Sequence, residues 1–135
     1  MILVKANAQS EAGEMGNPEI YEAMGAYNEE LVEAGVLLAG DGLQPSSKGA
    51  RVKNAGGTIV VTDGPFAETK ELIAGFWILQ VGSKEEAVEW ASRMPLEDGQ
   101  EIEVRRFFEA SDFEGVMSPE AIAREQELRD QVGRS

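Results

Sequence analysis

An α+β domain, built on an antiparallel sheet with two helices on one face and an inserted hairpin, is predicted by three observations. Short apolar runs alternate with two amphipathic helical segments in the order strand, helix, strand, hairpin, strand, helix, strand. Asn54-Ala55-Gly56-Gly57 lies between two strand-like runs, and paired glycines supply the positive φ angles that a tight hairpin turn demands. The runs at residues 36–39 and 72–81 are apolar at successive rather than alternate positions, so the central strands need cover on both faces. Two βαβ-like halves around a hairpin make the ferredoxin-like arrangement.

The elements follow in order. MILVKA opens with strand formers, and residues 7–16 form a polar loop. Asn17-Pro18-Glu19 is a helix start, combining an N-cap, a proline at the first helical position and an acid in the first turn. Ile20, Met24, Tyr27, Leu31 and Ala34 then recur at helical spacing, and Gly35 ends the helix. Residues 36–39 read as a buried strand, broken by GDGLQP, whose Gly40 and Gly42 read as turn glycines. Arg51-Val52-Lys53 and residues 58–62 form the hairpin strands, and residues 72–81 form a central strand. Ser83 and Glu86 stand at capping-box spacing before a second helix, on whose buried face Ala87, Trp90, Ala91 and Met94 fall. Residues 101–105 alternate as a half-buried strand does. Ser118-Pro119-Glu120 opens a last helix, to about Gln131, with a thin apolar stripe; it reads as a docked arm. The expected division is a domain over residues 1–108 and a C-terminal extension over 109–135.

Composition removes whole classes of function. The 135 residues contain no cysteine and no histidine, which excludes disulfides, thiolate sites, histidine-ligated zinc and the histidine-based catalytic triads. A net charge of −13, with basic residues scattered among acids, argues against nucleic acid. No run is long and apolar enough for a membrane span, and MILVKANAQSE lacks the layout of a secretion signal, so a cytoplasmic location is expected. None of the glycines stands in a strand-to-helix phosphate loop, so no nucleotide or other organic cofactor is expected, and no metal site is assigned.

The most crowded stretch is TDGPFAETKE, residues 62–71. Asp63, Gly64 and Pro65 have the chemistry of a tight turn, and Phe66 can plug the end of a core. Read as a site, the same corner would let Asp63 or Glu68 accept a proton and Lys70 steady an anion, which makes these three the candidate catalytic residues. Tyr27 on the first helix, Asp41, Phe66 and Arg105 are candidate ligand contacts. Arg105 and Arg106 are expected to face opposite ways on a strand, one of them into a buried ion pair.

The stretches VEAGVLLAGDGLQP, TDGPFAETKE, GFWILQV, AVEWASRMP and EIEVRRF, taken together, resemble the YCII-related family and more closely its DGPF-domain branch, over about residues 1–108. The resemblance implies a dimeric α+β barrel with a cleft near the dimer interface. It also implies a histidine on the first helix working with an aspartate; here Met24 stands about where that histidine would fall. A homodimer with its sheets face to face, binding a small molecule and using carboxylate chemistry if it is an enzyme, is the leading expectation. The rival is a non-enzymatic interaction protein, with an extracytoplasmic-function sigma factor as the kind of partner the resemblance implies.

Overall fold

The computed structural model describes residues 1–133, the side chain of Lys70 excepted. The chain divides into two compact units, Met1–Arg105 and a second from Arg106 onward. In the first unit, β1 (Ile2–Lys5), β2 (Leu37–Gly42), β5 (Ile73–Leu79) and β6 (Ile102–Val104) form one antiparallel sheet in the order β2-β5-β1-β6. Between β2 and β5, β3 (Ala50–Ala55) and β4 (Thr58–Asp63) make a separate two-stranded hairpin. A short helix α1 (Ala8–Glu11) and the long helix α2 (Pro18–Glu33) follow β1, and α3 (Lys84–Ser92) follows β5. With the hairpin set aside, this strand order is the ferredoxin-like one that the sequence predicts.

Local chemistry places the ends of these elements. The Asn17 side chain accepts from the Ile20 N–H at 3.2 Å, ahead of Pro18, and Gly35 takes a positive φ of 72° just past the end of α2. Ser83 caps α3 by accepting from the Glu86 N–H at 3.1 Å. The Glu86 carboxylate accepts from Gly82 at 2.9 Å, one residue earlier than a standard capping box places it. Where the sequence suggested only a loop, Asn7 and Ser10 close a reciprocal box of their own at 2.8 and 2.9 Å and start α1.

One face of the sheet carries the core. Ile2, Tyr27, Leu31, Val36, Trp90, Ala91 and Met94 are buried together, with Leu31 at 0% and Ile2 at 1% exposure, and Trp77, Leu79, Ile102 and Val104 pack against them. Alternation puts Leu3, Phe76 and Ile78 on the opposite face, away from α2 and α3. Two strand expectations need correction. β2 is an edge strand whose residues after Leu37 are exposed, not a buried one. It also runs through Gly40 and Gly42, which are strand glycines and not turn glycines, because both pair with β5. Gly56 and Gly57 do form the hairpin turn, with φ values of 62° and 92°.

The second unit contains a 3-10 turn (Ala110–Phe113) and the helix α4 (Pro119–Gln131), capped by Ser118. Phe108 and Phe113 meet there with ring centroids 5.2 Å apart, and Ile122 of α4 lines a small hollow together with Phe113 and Met117.

The Tyr27 hydroxyl donates to the Trp90 carbonyl at 2.7 Å inside the core, and its ring meets Trp77 edge-on at 6.4 Å. The Trp90 carbonyl also accepts from the Arg93 N–H, so losing the phenol leaves it one partner. Tyr27→Phe should therefore cost about 1 kcal/mol in urea unfolding, not the larger cost of an orphaned group. Burial raises the Tyr27 pKa; the Arg93 charge opposes this and the Glu30 charge adds to it. The unfolded phenol ionises near its ordinary value of about 10 while the folded one stays protonated. Stability should hold below that pH and decline above it, and the phenylalanine variant should lack this part of the decline.

Candidate functional site

A cleft of about 570 Å³ opens on the helix side of the sheet. Its existence follows from missing side chains. Gly42 of β2 and Gly75 of β5 are cross-strand partners, and both point toward the helix face, as Gly40 and its partner Trp77 do. A Cβ added at Gly42 would meet nothing within 4 Å, so the floor there is bare backbone bordering open space. At Gly40 a Cβ would come within 3.0 Å of the Trp77 ring, so that glycine lets the indole lie across the neighbouring strand. The indole Nε1–H donates to the Asn28 side-chain oxygen at 2.8 Å, tying the floor to α2.

Around this floor, Ile20, Met24 and Leu37 supply an apolar wall, with Met94 and Pro95 opposite. Asn7, Gln9, Glu14, Glu97 and Gln100 supply the polar lining. The Tyr21 hydroxyl, also in the lining, accepts from the Gly16 N–H at 3.0 Å and so holds the loop that forms one side of the mouth. Among the described residues no lysine or arginine lines the cleft, and Glu14, Glu97 and Asp41 are the charged groups in its lining. Asp41 borders it at the sheet edge, but its register partner is Phe76, which places its carboxylate on the face opposite Trp77. Among the described residues, no three acidic groups gather as a metal-binding set.

The candidate residues named from sequence fall in different places. Asp41 and Met24 come to the cleft. Tyr27 is a core residue with its hydroxyl bonded to backbone. Asp63 ends β4 and Glu68 precedes the 3-10 turn Thr69–Glu71; both are exposed and stand outside the cleft lining, and the Lys70 side chain lies outside the described residues. Phe66 is half-buried, with the Arg51 guanidinium 3.8 Å from its ring centre. The arginines correct an expectation: Arg105 and Arg106 are 72% and 69% exposed and pair on the surface with Glu103 and Glu109 at 3.8 and 3.0 Å. β6 ends at Val104, so strand alternation no longer governs them and neither is turned inward.

The signature corner is a junction. Ser46 donates its N–H to the Glu11 carboxylate at 3.0 Å, and its hydroxyl also donates to Glu11. The same hydroxyl accepts from the Phe66 N–H at 3.0 Å. Gly64, followed by a cis bond to Pro65, bonds through its N–H to the Gly49 carbonyl at 3.0 Å. Thus α1, the turn Ser46–Lys48 and the end of the hairpin are knotted together through one serine. Sequence reasoning missed Glu11 and Ser46, which are 35 positions apart and carry no local pattern that would link them. The cleft floor did have a signal, Gly42 in β2 and Gly75 inside an apolar strand, since a glycine within a strand marks a close approach or an open site.

Fold and cleft together define a ferredoxin-like α+β protein with a concave site between its sheet and its first long helix. The model of the YCII-related domain matches residues 1–111, and the chain belongs to that family. An uncharacterised protein of Rhizobium meliloti (strain 1021) is 38% identical over 68 residues, covering 50% of this chain and 55% of the relative. The match thus spans about half the length of each protein.

A Cβ at Gly64 would lie 1.8 Å from the Ser46 carbonyl oxygen, a backbone atom that no rotamer can move aside. Gly64→Ala should therefore destabilise the first unit by about 1–3 kcal/mol, measured as a lower urea midpoint.

Proposed function

We propose that this chain binds a small, flat, partly apolar molecule, neutral or positively charged, in the cleft floored by Gly42 and Gly75. The single observation that carries the reading is a backbone floor beside an indole, with carboxylates and, among the described residues, no cation in the lining. Bare peptide groups and the Trp77 ring suit a planar ligand, and Glu14 and Glu97 favour positive charge while penalising an anion. The Asn28 side-chain oxygen is engaged by Trp77, and Gln9, Gln100 and the two glutamates are among the lining side chains that can hydrogen-bond a ligand. In an enzymatic version of this reading, Glu14 or Glu97 accepts the proton that the family's histidine would take. Asp63 and Glu68 then serve the corner and not the ligand. The string DGPFAETKE supports assignment to the DGPF branch of the family.

We also infer that the working unit is a homodimer in which Leu3, Phe76 and Ile78 of one sheet face those of another. Support comes from their position opposite the face that α2 and α3 cover. Light scattering after gel filtration should give twice the chain mass at micromolar concentration; a monomer there would remove this part of the reading.

A thermal-shift screen against aromatic amines, uncharged ring compounds and aromatic acids tests the cleft. The first two classes should include compounds that raise the melting temperature by several degrees when present well above their dissociation constants, and the acids should not. Gly42→Val projects into open space and should leave the fold intact while abolishing that shift. An unchanged shift in this variant would place the ligand elsewhere.

A further inference from the structure

The segment between β1 and α2 is the part of the cleft wall least held by packing. Asn7, Gln9, Ser10, Glu14 and Gly16 of this segment line the cleft, yet no residue from 7 to 16 is buried. Its backbone bonds close on themselves: Glu11 donates to Asn7 at 3.0 Å, Ala12 to Ala8 at 3.0 Å, Gly13 to Ser10 at 3.1 Å and Glu14 to Gln9 at 3.2 Å. The segment is thus a small body with its own internal order and no buried side chain. Local opening of such a unit costs far less than global unfolding.

Among the described residues, hydrogen bonds leave this body at two points. Near its middle the Glu11 carboxylate accepts from the Ser46 N–H at 3.0 Å and from the Ser46 hydroxyl. At its end the Gly16 N–H donates to the Tyr21 hydroxyl at 3.0 Å. The chain enters the segment through Ala6, whose N–H donates to the Leu72 carbonyl at 2.9 Å, and leaves it at Asn17, the cap of α2. Ser46 is the fixed post. A hydroxyl has one hydrogen to give, and because this one accepts from the Phe66 N–H at 3.0 Å, its own hydrogen is left for Glu11. Leu43, three residues before Ser46, donates to the Ala74 carbonyl of β5 at 2.7 Å and ties the post to the sheet.

We propose that residues 7–16 form a gate on the cleft and that the contact of Glu11 with Ser46, oriented by the corner at Phe66, is its latch. Closed, the gate brings Gln9, Ser10 and Glu14 to the ligand; open, it takes those groups away and uncovers the end of the sheet where Val4 pairs with Gly75. A ligand that touches the gate's side chains binds the closed form better and so pulls the gate shut. Glu14 makes that pull strongest for a positive charge. The inference rests on the binding reading above and gives that site a means of control: the corner at residues 62–71 governs access without touching the ligand.

The test needs no ligand, and the full chain, which has no cysteine, accepts single thiols cleanly. Val4 lines the cleft three residues before Asn7 at 9% exposure, and Ala91 lies in the core at 4%. N-ethylmaleimide should label a Val4→Cys protein about tenfold faster once Glu11→Ala cuts the latch, because two hydrogen bonds to a carboxylate are lost. Tyr21→Phe, at a side chain 50% exposed, releases the other tie and should speed labelling in the same direction. An Ala91→Cys protein carrying the same changes should react at its original rate, since only global unfolding uncovers that thiol. An unchanged Val4→Cys rate in the Glu11→Ala variant, or an equal rise at both thiols, would overturn the gate and leave the cleft to the thermal-shift screen. A screen without hits would remove the binding reading and leave the labelling difference in place.

Discussion

The register in which β1 pairs with β5 governs everything in the first unit. Ile2 sits opposite Trp77 and Leu3 opposite Phe76, and because side chains alternate with period two, this one alignment decides which residues meet the helices. Ile2, Val4, Trp77 and Gly75 face α2 and α3, while Leu3 and Phe76 face away. A slip of one residue would send Trp77 out of the core, break its bond to Asn28 and turn the glycine floor outward. The neighbouring strands inherit the alignment: Gly40 meets Trp77, Gly42 meets Gly75, and Ile102 and Val104 join the core through β6. Core and cleft are thus two lengths of the same sheet face, one filled by side chains and the other left bare.

The corner at residues 62–71 belongs to a second layer of organisation. The hairpin makes no ladder with the sheet, so its position depends on a few polar contacts around Ser46 and on the close approach of Gly64 to that turn. Glu11 on α1 is one end of this network, and α1 also contributes Gln9 and Ser10 to the cleft lining. The same four-residue helix therefore touches the hairpin base through one residue and the cleft through others, which makes the corner a neighbour of the site without being part of its wall.

Much of the fold was legible because it rests on local signals. The caps at Asn17, Ser83 and Ser118, the Gly56-Gly57 turn and the periodicity of α2 each depend on residues within a few positions of one another. The site was less legible, for a physical reason. TDGPFAETKE drew attention because it concentrates reactive side chains, whereas the cleft is made by side chains that are absent and by residues from five separate segments. Gly40 and Gly42 read as chain breakers because flanking Asp41 and Pro45 give the stretch a turn-like composition, yet pairing with β5 overrides that local preference. The arginine pair after β6 misled in the converse way: alternation holds only as far as the strand does, and the strand stops at Val104.

A floor made of glycine also sets the direction in which this protein can diverge. At Gly42 any substitution adds atoms to the cleft and none removes them. The present sequence therefore stands at the roomy end of its own range there, and, on the proposed binding role, a side chain acquired at this position would narrow the set of ligands admitted. Selectivity would arise by occupying space that the ancestor left open, without rebuilding a single strand.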